Sequence, residues 1–123
     1  MMNNSIYRDA LIKRVYNFSL STIKIVRSLP TRDFAVETIS KQLIRSATSI
    51  GANIVEAQAS PTRKDFSNFI NYALKSANET RYWIALIRDL ETKSGLAVVP
   101  LLKEAQAITK ILGSTIKTLR TRK

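Results

Sequence analysis

The sequence predicts an all-α protein, an antiparallel up-and-down four-helix bundle. Three observations carry that expectation. Apolar residues recur at alternating spacings of four and three along almost the whole chain, the period of one helix face. Only three glycines and three prolines occur in 123 residues, and Pro30, Pro61 and Pro100 fall between the periodic stretches. No segment shows the strict alternation of a strand. Four amphipathic helices with short connections pack most simply as an up-and-down bundle, and the sustained heptad-like spacing implies coiled-coil-like contacts. The chain reads as a single domain over 1–123, organised around the stretch from Leu43 to Ile87.

The first helix is expected over about 6–28. Asn4 or Ser5 is placed to cap it, and Leu11, Val15, Phe18, Thr22, Ile25 and Leu29 share its inner face. Leu29-Pro30 ends it, because the residue before a proline is pushed out of the α region. The second helix, starting near Thr31 or Asp33 and reaching about 59, has the seam Val36, Ser40, Leu43, Ala47, Ile50, Ile54 and Ala57. Gly51 in its interior costs about 1 kcal/mol relative to alanine, which suggests close approach of another backbone.

Ser60-Pro61-Thr62 breaks the chain, with Thr62 and Asp65 spaced as a capping box. The third helix is expected over 63–93, with Phe66, Ile70, Ala73, Ala77, Thr80, Ile84 and Ile87 inward. Lys93-Ser94-Gly95 reads as its stop signal. The fourth helix, about 100–120, turns Leu101, Ala105, Ile108, Leu112, Thr115 and Leu119 inward.

Twenty Lys+Arg against nine Asp+Glu give a net charge of +11. Such a charge favours polyanion partners, nucleic acid first and acidic lipid second, through phosphate neutralisation and counterion release. The plain alternative is a charge that only keeps the protein soluble. Cysteine and histidine are both absent. That excludes disulfides, Cys/His zinc sites, Ser-His-Asp triads and imidazole bases. No apolar run approaches the roughly 20 residues of a membrane span, and the first residues lack the apolar core of a signal peptide. The expectation is a cytoplasmic protein with no membrane association and no cofactor or metal.

Helical arithmetic, about 100° per residue, gives the central helices a second structured side. Arg45, Ser49, Ala52 and Glu56 lie opposite the core seam of the second helix. On the third, Tyr72, Glu79, Trp83, Leu86 and Leu90 form an arc away from Ile70 and Ala77. A solvent-facing arc collecting these apolar groups suggests self-association, with Trp83 and Tyr72 as anchors. The competing explanation is that Trp83 and Leu90 widen the core stripe. Glu79 needs a cation if desolvated, with Arg45, Arg81 and Lys75 as candidates. On the fourth helix, Lys103, Lys110 and Lys117 recur every seven residues at the outermost position. With Arg120, Arg122 and Lys123 they make a basic ridge in which Glu104 is the exception, and this is the preferred phosphate-contact surface. No aromatic interleaves it, so base stacking is not indicated.

The block Arg45-Ser46-Ala47-x-Ser49-Ile50-x-Ala52-Asn53-Ile54-x-Glu56-Ala57, then Lys64-Asp65-Phe66 and Glu79-Thr80-Arg81-Tyr82-Trp83, resembles the bacterial four-helix bundle proteins encoded by intervening sequences in 23S ribosomal RNA genes. These are also called S23 ribosomal proteins. The resemblance covers about residues 7–95 and little of the fourth helix. It implies a homopentamer with a positively charged surface and channel. The block is also similar to the accessory variability determinant of diversity-generating retroelements, which works with a reverse transcriptase and binds nucleic acid. By the same resemblance Arg45, Asn53, Glu56, Glu79 and Arg81 are the polar motif positions, structural or interfacial, and no catalytic role transfers. Ala57 departs from the glycine common there.

Three functions follow as expectations. The first is a non-enzymatic homo-oligomer that binds RNA or DNA electrostatically through Lys103, Lys110, Lys117 and the tail. The second is a scaffold docking a protein such as a reverse transcriptase. The third is an enzyme built on Glu56 and Glu79. It is the weakest, because di-iron bundles need Glu-x-x-His and Glu56 points away from the seam.

Overall fold

Four helices make up the computed structural model, which describes residues 5–29, 33–91, 93 and 95–121. They are α1 (Ser5–Ser28), α2 (Phe34–Gln58), α3 (Arg63–Leu90) and α4 (Val99–Thr121), the last entered through a 3₁₀ turn over Gly95–Val98. No strand occurs among the described residues. Facing pairs mark where the helices meet. Ser46 meets Thr80 and Arg45 meets Glu79 between α2 and α3. Arg14 meets Glu104 between α1 and α4, and Arg63 at the start of α3 reaches the Leu119 carbonyl near the end of α4. Successive helices are joined by short connections, four residues between α2 and α3, so neighbours run antiparallel.

The helix ends follow from local chemistry. Asp33, in extended conformation, caps α2 by accepting from the amides of Ala35 (2.8 Å) and Val36 (3.4 Å), satisfying donors that have no partner inside the helix. Thr62 caps α3 in the same way, its hydroxyl accepting from the Asp65 amide at 3.1 Å. Ser5 is helical in α1, and Asn4, the other expected cap, lies outside the described residues, as does Thr31.

The expected stop of α3 is displaced. The helix ends at Leu90, where Glu91 turns to extended geometry (φ −101°, ψ 102°) and still donates to the Ile87 carbonyl at 2.9 Å. Arg88, not Lys93, is the cation of the last turn, and Ser94 lies outside the described residues. Gly95 is no left-handed cap, since no glycine has positive φ. Its amide donates to the Glu91 carbonyl (2.7 Å), and a Cβ there would overlap the Arg88 carbonyl oxygen. Glycine is needed because two backbones touch.

Every residue of the expected α2 and α3 seams is buried. Alanines 47, 57, 73 and 77 among them bring the two helices close, and this is the most extensive contact of the bundle. Leu11, Val15 and Phe18 of α1 and Leu101, Ala105, Ile108 and Leu112 of α4 complete the core, while Ile25 is only half-buried. The α4 seam needs one correction. After Leu112 it continues at Ile116, whereas Thr115 and Leu119 are half-buried and Thr115 bonds back to the Ile111 carbonyl at 2.9 Å. A straight helix drifts from a seven-residue repeat, and the isoleucine falls inward.

Gly51 also differs from expectation. Its neighbour is the Val15 side chain, which a Cβ would meet at 3.4 Å, not a backbone. The buried hydroxyls of Thr22 and Thr80 are bonded. Thr22 donates to the Phe18 carbonyl (2.8 Å). The Thr80 hydroxyl is shared between the Ser46 hydroxyl (2.9 Å) and the Ser76 carbonyl (2.7 Å).

Candidate nucleic-acid and assembly surfaces

The outer side of α2 and α3 is built on one charged cluster. Glu79 lies 3.8 Å from Arg45 and accepts the Trp83 indole N–H at 2.9 Å. Arg45 also donates to Gln42 at 2.8 Å. Of the candidate cations, the structure brings Arg45 to Glu79. Trp83 is half-buried against the core, with Tyr82 edge-on to it at 5.1 Å. On the same arc Leu86 is likewise half-buried, while Tyr72 and Leu90 are about half exposed, and Tyr72 packs edge-on to Phe69 at 6.1 Å.

Several motif side chains bond to their own helix. Ser49 donates to the Arg45 carbonyl (2.7 Å) and the Asn53 amide to the Ser49 carbonyl (2.8 Å). Ala52 and Glu56 are exposed. The Arg81 Nε is buried without a hydrogen-bond partner among the described residues. Glu56 and Glu79 do not converge with a third acidic side chain among the described residues.

The side formed by α1 and α4 is different. Lys103, Lys110, Lys117 and Arg120 are exposed along α4, while Arg122 and Lys123 lie outside the described residues. Glu104, the acid within this ridge, is held by Arg14 of α1 through two hydrogen bonds of 2.7 and 2.8 Å. Those bonds raise the Arg14 guanidinium above its ordinary value and cancel the acid's charge. This bridge separates two hollows between the helices. One, of 110 Å³, is lined by Tyr7, Ala10, Leu11, Arg14 and Ile111. The other, of 450 Å³, has Asn17 and Ser21 among its lining residues. Tyr7 is half exposed, so an aromatic does stand beside the ridge, supplied by the neighbouring helix. Nothing within α4 signals it. Arg14 and Glu104 lie 90 positions apart, and only the fold pairs them.

The sequence pattern described as 23S rRNA-intervening sequence protein matches residues 9–114, which takes in most of the four helices. The chain belongs to that family. A crystal structure of an S23 ribosomal protein family member from Bacteroides thetaiotaomicron VPI-5482, described as a protein with unknown function, superposes with a TM-score of 0.80 at 35% identity. That alignment covers 89% of this chain and 97% of the other. Among curated proteins nothing matches. The Arg45–Glu79–Trp83 cluster, Lys103 and Lys110 fall inside the span matched by the 23S rRNA-intervening sequence protein family, and Lys117 and Arg120 fall beyond it. No described helix of this family member is long and apolar enough to cross a membrane.

Proposed function

We propose that the protein is a non-enzymatic, cytoplasmic homo-oligomer, a pentamer by family resemblance, that binds nucleic acid electrostatically as an RNA- or retroelement-associated accessory factor. One observation supports this reading above the others. Lys103, Lys110 and Lys117 stand exposed in a row on α4, and the single acid of that helix is tied to Arg14. The row therefore keeps its full positive charge, and each lysine that reaches a phosphate releases a counterion. Self-association multiplies the row, because linked sites bind one polyanion together. Tyr72, Tyr82 and Leu90, all at least half exposed on α3, support the assembly part as contact area. The same patch supports a second reading, a scaffold for a protein such as a reverse transcriptase.

Filter binding of RNA and DNA across ionic strengths tests the first reading: affinity falls steeply as salt rises. No binding even at low salt removes it. Light scattering before and after nuclease treatment tests assembly, with a mass above one subunit expected in both. A partner protein retained by the nuclease-treated oligomer favours the scaffold.

A further inference from the structure

The larger hollow between α1 and α4 has the makings of a site, because its wall and its rim differ in chemistry. Phe18, Ile25, Pro100 and Leu101 give it an apolar lining, and Asn17 and Ser21 are exposed along one edge. Ser19, Thr22 and Ser28 of α1 spend their hydroxyls on their own helix. The side chains of Asn17 and Ser21 make no such bond among the described residues. The Asn17 amide has both donors and acceptors to offer. At 450 Å³ the hollow lies within the range of small-ligand sites, which pair apolar walls with a few polar groups.

Charge identifies the occupant. Lys13 stands four residues before Asn17 and Lys24 three after Ser21, both exposed, and Lys103 stands on α4 next to Glu104. The rise of a helix sets Lys13 and Lys24 about 16 Å apart along α1. The only acids on these two helices are Asp9 and Glu104, and both are paired with arginines. A flat, mostly apolar ring with hydrogen-bonding edges, carried on a chain of phosphates, matches both the hollow and its cations.

Resting on the nucleic-acid reading above, we infer that the protein prefers single strands, with one unpaired nucleobase seated in the α1/α4 hollow against Asn17 and Ser21 while flanking phosphates lie on Lys13, Lys24 and Lys103. A duplex keeps its bases stacked and gains only the phosphate contacts.

The test is fluorescence anisotropy of the full chain with short labelled RNAs: a single strand, the same strand made abasic, and its duplex. The single strand should bind at least tenfold more tightly than the abasic strand, the loss typical of one base contact. Ser21→Leu, which fills the hollow and leaves every charge in place, should lower single-strand affinity by a similar factor and leave duplex affinity unchanged. Equal binding of base-containing and abasic strands by the unaltered protein overturns the inference and leaves electrostatic binding standing. So does a Ser21→Leu protein, folded by circular dichroism, that loses nothing. No binding of any RNA overturns both readings together.

Discussion

The pair α2/α3 and the pair α1/α4 are the two halves of one bundle, and they divide its work. Between α2 and α3 the seam is closed by alanines and isoleucines, fully buried, with a hydroxyl pair inside. Between α1 and α4 contact is much thinner, and an exposed arginine–glutamate bridge spans a hollowed groove. Charge divides the same way. The helices α1 and α4 together hold nine cations against two acids, whereas α2 and α3 hold seven against five. Burial and like charge oppose each other, since crowded cations repel unless solvated. Concentrating stability in one pair leaves the other free to stay open and positive.

Core truncation breaks or confirms this division most sharply. Ile84→Ala, at a fully buried α3 position, should cost about 4 kcal/mol by the transfer and cavity terms. Ile25→Ala, half-buried beside the α1/α4 hollow, should cost less than half of that, and urea unfolding measures both. Equal costs would mean that the two halves are not distinct in stability.

The next effect is on binding. Replacing Lys103, Lys110 and Lys117 together by glutamine should weaken single-stranded RNA binding about a hundredfold at low salt and flatten the log–log salt slope by about 2. The unfolding midpoint should stay where it is, because these side chains are exposed and such surface changes are worth within about 0.5 kcal/mol.

The smallest effect sharpens the account of the bridge. Glu104→Gln should cost only about 0.5–1 kcal/mol, because Arg14 and Glu104 are 43% and 34% exposed and solvent screens them. It should also raise RNA affinity a few-fold by freeing Arg14. A loss of affinity on that substitution would place the nucleic acid elsewhere.

The two halves also differed in how plainly the sequence announced them. The α2/α3 seam was legible residue by residue, because a core strip depends on periodicity alone. The partnership of Arg45 with Glu79 was legible as a need for a cation, though not as a choice among three. Along α4 the lysine row was legible, yet Thr115 stood where Ile116 packs, since an ideal heptad ignores helical drift. The stop of α3 was misplaced for another reason. Locally Gly95 reads as a stop signal, whereas its use against the Arg88 carbonyl depends on a chain reversal that local spacing does not encode. The Arg14–Glu104 bridge and the free edges of Asn17 and Ser21 required the bundle itself, because their partners come from opposite ends of the chain.

The Ser46–Thr80 contact bears on more than local satisfaction. Apolar strips are tolerant of sliding, since a leucine displaced by one helical turn meets another apolar group. A hydroxyl pair is less tolerant, because sliding gives up the bond between them and leaves each only the carbonyl of its own helix, Leu43 for Ser46 and Ser76 for Thr80. The contact therefore levels α2 against α3 like a pin through two rods. Every copy of the chain then carries its Arg45–Glu79–Trp83 cluster at the same height, and a ring of copies would inherit that alignment without adjusting any of them.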